Sequence, residues 1–376
     1  MTAPSSRDPI SNALRLPSCR ERGRTAGVRR RIVLIGVAAT ALLGIGAWRV
    51  LSYAPGLHER SIIVNVPPQQ SALEIADALH HARIIRSRAA FLFLSFVRGT
   101  VGSLKAGEYE VPRRASTRDV LALLEDGRVR PNPIVHPEGA TIAELAEVLE
   151  RAGLAKATDV VRTATDPSFL WLHGIEAPSA EGYVWPDTYQ FVRGMTAAEI
   201  LGRVVQRMHV KLSPDLRERA RARTITIHEL LTLASIVERE AVARDEQPLI
   251  SAVFWNRLRA GMPLQADPTV QYAVGKPRQL LSRSDLLTVH PYNTYTRVGL
   301  PPGPIASPGL AAIEAAIDPA SVDYLFFVKQ SEQRHRFSRT LEEHNTAIAE
   351  YRASMSRPWR LRQPARSLPA GASAGP

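Results

Sequence analysis

Seventeen consecutive uncharged residues, Ile32 to Trp48, stand directly behind Arg29, Arg30 and Arg31, and this run divides the chain into two parts meeting different surroundings. A run of that length is at the short limit of what crosses a bilayer as a helix. The arginines before it predict that the N-terminus stays in the cytoplasm while the bulk is exported. The alternative is a cleaved signal peptide. Against it, the run is longer than a usual signal core, and Arg49-Val50-Leu51-Ser52-Tyr53-Ala54-Pro55 offers no clean small-x-small cleavage site. The expectation is a basic cytoplasmic tail, 1–31, followed by a retained transmembrane anchor, 32–53.

Charge follows the same division. Of the formal net charge of +12, residues 1–31 contribute +6, from eight arginines set against Asp8 and Glu21. The remainder is mildly basic, with no nucleic-acid recognition motif and no basic helix interleaved with aromatics, so no nucleic-acid partner is expected. Cys19 is the single cysteine, which excludes an internal disulfide and a cysteine-held metal. The adjacent His80 and His81 read as helix surface, since no H-E-x-x-H or comparable ligand spacing occurs. No metal and no cofactor are expected.

The exported part reads as α+β. Ile62-Ile63-Val64-Asn65-Val66 alternates and stops at Pro67 and Pro68, a strand signature. Ser71, with Glu74 three residues on, opens a helix with Leu73, Ile75, Ala76 and Leu79 at helical spacing. The same order recurs at Pro133 to Pro137, followed by Thr141 and Glu144. Between the two, Ala89–Val97 reads as an apolar helix, 104–111 as a turn and strand, and Ser116–Leu124 as another capped helix. Such modules resemble LysM-like glycan-binding folds and fit a plain α+β spacer nearly as well. The expected division is a small module, 60–130, and a mainly helical domain with some strands, 131–352. The proline- and arginine-rich end, 353–376, is expected to be disordered.

One carboxylate stands out. Thr226 and Glu229 form a capping-box pattern opening a helix from Ile227 to roughly Val242. On that helix the neighbours of Glu238 at three and four residues are Ser235, Ala234, Ala241 and Val242, none of them charged. Glu240, in contrast, has Arg244 four residues on and reads as a surface ion pair. A carboxyl pressed into an apolar stripe is held in its neutral form, as protonating a glycosidic oxygen requires. The competing reading of Glu238 is a structural carboxylate paired with a distant arginine.

Its surroundings favour a cleft. Phe254-Trp255-Asn256-Arg257-Leu258 continues a second helix, and Gln265-Ala266-Asp267-Pro268 follows a break at Gly261. Pro291-Tyr292-Asn293-Thr294-Tyr295 precedes the stretch Gly299 to Gly309, whose prolines forbid regular structure and suit a rigid wall. Amides, carboxylates and tyrosines on loops fit a polyhydroxylated ligand. Asp267-Pro268 and Tyr292-Asn293 also fit plain turn chemistry.

These strings closely resemble the endolytic murein transglycosylase family. The resemblance is carried by Leu233 to Glu240, Phe254 to Leu258, Leu264 to Val270, Tyr292 to Tyr295 and Gly299 to Gly309, in that order. Glu181-Gly182-Tyr183, Trp185 to Tyr189, Phe337-Ser338 and Thr340 to Asn345 match further blocks, so that it spans roughly 60–352. It implies a single-pass protein of the bacterial inner membrane, with a LysM-like module and a catalytic domain in the periplasm. It implies cleavage between N-acetylmuramic acid and N-acetylglucosamine in nascent strands, leaving 1,6-anhydro ends and helping to terminate elongation. Glycan strands would be the substrate and a peptidoglycan synthase a further partner. Glu238 matches the family's key acid. Gln265, Asp267, Asn293, Tyr295, Asn256 and Glu181 are the candidate substrate-binding residues, with Asp187 a cleft or structural position. A lysozyme-type hydrolase using Asp267 as second carboxylate, and a non-catalytic peptidoglycan-binding scaffold, are the competing functions.

Overall fold

The computed structural model describes residues 19–52, 61–67, 69–112 and 114–356. Most of the expected basic tail, Tyr53 of the expected anchor, and the end of the chain from 357 lie outside them. The chain divides into two compact units, Met1–Arg130 and Pro131–Pro376.

In the first unit, helix α1 (Cys19–Ser52) precedes strand β1 (Ile62–Val66), α2 (Ala72–His81), α3 (Arg88–Val97), β2 (Gly107–Val111) and α4 (Thr117–Asp126). Ile32, Leu34 and Ile35 of α1 are exposed. No helix among the described residues is long and apolar enough to cross a membrane. Strands β1 and β2 pair antiparallel, Val64 opposite Tyr109. Val64, Val66, Tyr109 and Val111 meet Ile75, Leu79, Phe91, Val120 and Leu121 in one apolar cluster. The caps are local chemistry: Ser71 with Glu74 and Ser116 with Asp119 each close a reciprocal capping box.

The second unit repeats the opening. Strand β3 (Asn132–His136) pairs antiparallel with β4 (Asp187–Phe191), across helices α5 (Ile142–Arg151), α6 (Ala157–Ala164) and α7 (Pro167–Leu172). Next come α8 (Ala197–Lys211), α9 (Pro214–Ala222) and α10 (Ile227–Glu240). Beyond a 3₁₀ turn at Arg244–Glu246 lie α11 (Gln247–Arg259), α12 (Asp267–Ala273), α13 (Arg283–Leu286) and α14 (Leu310–Ile317). A last hairpin, β5 (Phe326–Lys329) with β6 (His335–Ser338), leads into α15 (Leu341–Ser356). That helix runs four residues into the stretch from 353 that composition marks as disordered. The α+β class holds, as several two-stranded sheets among many helices.

Helix α10 is the axis of this unit. Leu230 through Val237 are buried, and it packs on α14, α11 and α12. A stripe this wide leaves only the helix ends free to serve solvent. It stops at Glu240, two residues earlier than its pattern suggests, because Ala241 turns extended (φ −71°, ψ 124°).

Candidate active site: carboxyl groups at the end of α10

The last three residues of α10, Glu238, Arg239 and Glu240, line an open cleft of about 420 Å³. The turn after β3 supplies Glu138 and Gly139, α12 supplies Asp267, Pro268 and Gln271, and Arg278 closes one side. A second concavity, of about 370 Å³ along Pro291, Thr294, Arg297 and residues 298–302, is lined by no carboxyl group.

Glu238 is partly buried. Its Oε2 accepts the backbone N–H of Gly309 at 3.1 Å and faces the Gln247 side-chain amide at 3.5 Å. Among the described residues no basic side chain forms an ion pair with it, which removes the structural alternative of a carboxylate held by an arginine. Burial pushes its carboxyl above the ordinary value and the charge of Glu138 adds to that, while the Gly309 N–H, Arg244 and Gln247 oppose it. It is therefore a group that holds its proton longer than a surface glutamate and can still lose it in place.

Gly309 reaches Glu238 because the proline-rich stretch is latched at several points. Ile305 N–H donates to Ser235 Oγ at 3.0 Å, Gly139 N–H to Ser307 O at 2.8 Å, and Ser307 N–H to Ala140 O at 2.8 Å. His136 Nε2 meets Ser307 Oγ at 2.8 Å inside the core. The fit is close at two glycines, and at Gly182 a rigid proline ring is the neighbour. A Cβ on Gly309 would fall 2.3 Å from Glu138 Oε1, and one on Gly182, at φ +76°, 2.2 Å from Pro304 Cβ.

Glu240 corrects the sequence expectation. Its ion pair with Arg244 does not form: the helix ends at 240, so residue 244 no longer lies one turn further along the same face. Arg244 bonds Glu138 instead. Glu240 lines the cleft, and burial, reinforced by the neighbouring Asp267, pushes its carboxyl up to about 8. The Asp267 backbone N–H and the positive charges of Arg239 and Arg257 act in the other direction.

The remaining candidates separate into two groups. Asp267 lines the cleft and accepts the Tyr295 hydroxyl at 2.6 Å, so these two belong with Glu238 and Glu240. Gln265 is exposed, stands at φ +50°, and its Oε1 faces Arg257 at 3.3 Å. Asn256 donates to Val322 O and Tyr324 O, tying α11 to the chain before β5. Asn293 is fully buried; its amide donates to Leu286 O and Thr288 O, and its Oδ1 accepts Tyr295 N–H. The amide N–H groups of both asparagines are spent on backbone carbonyls, Asn256 Oδ1 accepts from Arg259 at 3.1 Å and Asn293 Oδ1 from a backbone N–H, contacts that shape the chain around the cleft. Glu181 is buried, receives the Ile142 N–H at 3.2 Å on each oxygen, and is pushed up to about 8 by burial. Asp187, the first residue of β4 and opposite His136, pairs with Arg207 at 2.9 Å and does not line the cleft. Glu138, Arg239, Gln271 and Arg278 are cleft residues that sequence reasoning missed. Their only local signal is the Pro137-Glu138-Gly139 turn chemistry.

Among the described residues no group of three His, Cys, Asp or Glu side chains is placed to hold a metal. Fold and site together define an α+β protein with a cluster of carboxyl groups lining an open cleft. The model of the YceG-like family matches residues 64–350. An endolytic murein transglycosylase of Bacillus subtilis is 31% identical over 309 residues, 78% of this chain and 86% of its own. A second, from Streptococcus pneumoniae strain D39, is 30% identical over 78% of this chain and 59% of its own length. The crystal structure of a putative yceG-like protein from Listeria monocytogenes superposes with a TM-score of 0.54 at 33% identity, over 77% of this chain and 99% of that one. The chain belongs to the YceG-like family.

Proposed function

We propose that the protein is an endolytic lytic transglycosylase of peptidoglycan, with Glu238 as its acid and base. The observation that carries this reading is a carboxyl raised by burial, free of any ion pair among the described residues, on the wall of an open cleft. The curated relatives with that activity, aligned over most of the chain, support it. Neutral Glu238 donates its proton to the oxygen between N-acetylmuramic acid and N-acetylglucosamine, and the bond from that oxygen to the muramyl C1 breaks. The muramyl 6-hydroxyl then bonds to C1 and gives its proton to the Glu238 carboxylate. The product is a 1,6-anhydro end, no water is consumed, and the acid is regenerated. The Gly309 N–H, bonded to Glu238 at 3.1 Å, steadies the carboxylate between the two transfers.

The wider role follows the family resemblance. Nascent strands are the substrate, with cleavage terminating elongation beside a peptidoglycan synthase. The first unit serves as a LysM-like glycan-binding module. The uncharged run Ile32–Trp48 behind Arg29–Arg31 supports an inner-membrane anchor with the two units in the periplasm. Protease accessibility of the second unit in spheroplasts tests that placement.

Asp267 in the same cleft favours one competing reading, hydrolysis with a second carboxylate. Digestion of purified peptidoglycan separates the two. Anhydro ends are expected from the wild type, and a loss on the order of 10²–10⁴-fold from Glu238→Gln with folding preserved. Reducing ends would refute the transglycosylase reaction, and unchanged cleavage by Glu238→Gln would refute the assigned acid.

A further inference from the structure

Helix α3 is apolar on more sides than its unit covers. Phe91 and Ser95 face inward and are fully buried. Phe93, Phe96 and Val97 lie three and four residues apart, so they share a face, and that face is open: Phe93 is 64% and Phe96 75% exposed. Val101, just beyond the helix, is exposed as well. A helix apolar on both faces is normally covered on both. Large apolar side chains standing side by side at a surface mark a place where something docks.

Charge and distance name the occupant. From 83 to 105 the chain carries five basic residues, Arg83, Arg86, Arg88, Arg98 and Lys105, and no acidic one. All five are exposed. Arg88 meets Asp77 and Arg98 meets Glu125, each at 2.6 Å, in surface pairs of the kind that hold a guanidinium weakly. An aromatic stripe set between arginines suits a helix lying in a bilayer surface, rings among the acyl chains and guanidinium groups at the phosphates. An acidic peptide would satisfy the arginines and leave the rings in water. A second copy would cover the rings and set like charges against each other. The stripe also stands close to the uncharged run Ile32–Trp48. Helix α1, which carries that run, packs on α3 and α4. Only residues 53–60 separate α1 from Ser61, a stretch of at most about 30 Å when fully extended.

We propose that α3 docks on the outer leaflet of an anionic membrane, with Phe93, Phe96 and Val97 among the acyl chains and Arg83, Arg86, Arg88 and Arg98 at the headgroups. Docking presupposes the anchor reading of Ile32–Trp48 and goes beyond it, since an anchor alone leaves the first unit free to move within its tether. Little intrinsic affinity is needed. A short tether holds the stripe at an effective concentration on the order of millimolar, so a contact too weak to recruit a free domain suffices. The first unit is then held against the leaflet instead of at the full reach of residues 53–60.

The test reads the surroundings of α3 in the full chain. With Cys19→Ser and a nitroxide on Val97→Cys, the protein is reconstituted in vesicles of phosphatidylethanolamine and phosphatidylglycerol. Electron paramagnetic resonance gives the rate at which the label collides with a water-soluble nickel chelate. That rate is expected to be about fivefold lower than for the same label beside Phe93→Ser and Phe96→Ser, two exposed positions whose change leaves the core intact. It is expected to rise about threefold when phosphatidylcholine replaces the anionic lipid. A rate unchanged by either exchange overturns docking. Spin–spin broadening between labels also overturns it, because a second copy then covers the stripe. Carbonate extraction of the same vesicles reads the anchor separately. Release overturns the anchor and docking with it, whereas retention with a nickel-accessible label overturns docking alone.

Discussion

Glu181→Gln tests the electrostatics of the second unit where the magnitude is largest and the geometry simplest. The side chain is 5% exposed, and both its oxygens receive the Ile142 N–H at 3.2 Å. Burial raises its carboxyl from 4.5 to about 8. Below 4.5 both folded and unfolded chains hold the proton and the group is neutral to stability. Between 4.5 and 8 the unfolded chain loses the proton while the folded one keeps it, so stability falls as pH rises. The fall is complete above 8 and amounts to at most ~5 kcal/mol, at about 1.4 kcal/mol for each pH unit of that interval. Gln cannot ionise and still offers Oε1 to Ile142. Urea unfolding of wild type and variant from pH 5 to pH 9 gives the difference at each pH, in which the contribution of Glu240 cancels. The variant is expected to gain on the wild type by several kcal/mol across that range. A constant difference, or a wild type that gains with pH, refutes the reasoning. It would mean that Glu181 is charged in the fold and held by Arg239, the weakest of the influences on it.

Two further changes probe the frame of the cleft. Gly182→Ala forces a Cβ against Pro304 at a positive φ, and a proline cannot swing aside; a loss of about 3 kcal/mol in urea unfolding is expected. Asn293→Ala removes two donors and an acceptor from partly buried backbone groups, at about 1 kcal/mol each, so a loss of about 3 kcal/mol should accompany any loss of activity. If activity falls while the unfolding midpoint stays put, Asn293 touches substrate after all.

What the sequence reveals and what it hides differ by distance along the chain. The capping boxes at Ser71, Thr141 and Thr226 are spelled within four residues and form as spelled. The uncharged surroundings of Glu238 on α10 were legible because its helical neighbours lie within one turn. The amides were not. An Asn serves a ligand or the backbone equally well, and Asn256 on α11 and Asn293 in its loop find carbonyls 5 to 68 residues away. Tyr295 N–H on Asn293 Oδ1, two residues apart, is the one local sign of the second use. Glu138 with Arg244 joins positions 106 residues apart, which no local pattern announces.

Glu240 was misread for a different reason, where the helix ends. Successive residues turn by 100°, so Glu238, Arg239 and Glu240 in mid-helix would point across more than half a circle and could not share a cavity. An ion pair four residues on was the natural partner only if the helix continued to 244. At a terminus the constraint lapses: no further turn covers the end, and chain from elsewhere closes around it. Here that chain is the 137–140 turn, Gly309 and the N-terminus of α12, and all three side chains enter one cleft. The extended backbone at Ala241 is thus what turns one stretch of apolar helix into a site with two carboxyls. A bulky β-branched or aromatic residue at 241 would preserve it, whereas continued helix through 244 would carry Arg244 back beside Glu240 and away from Glu138.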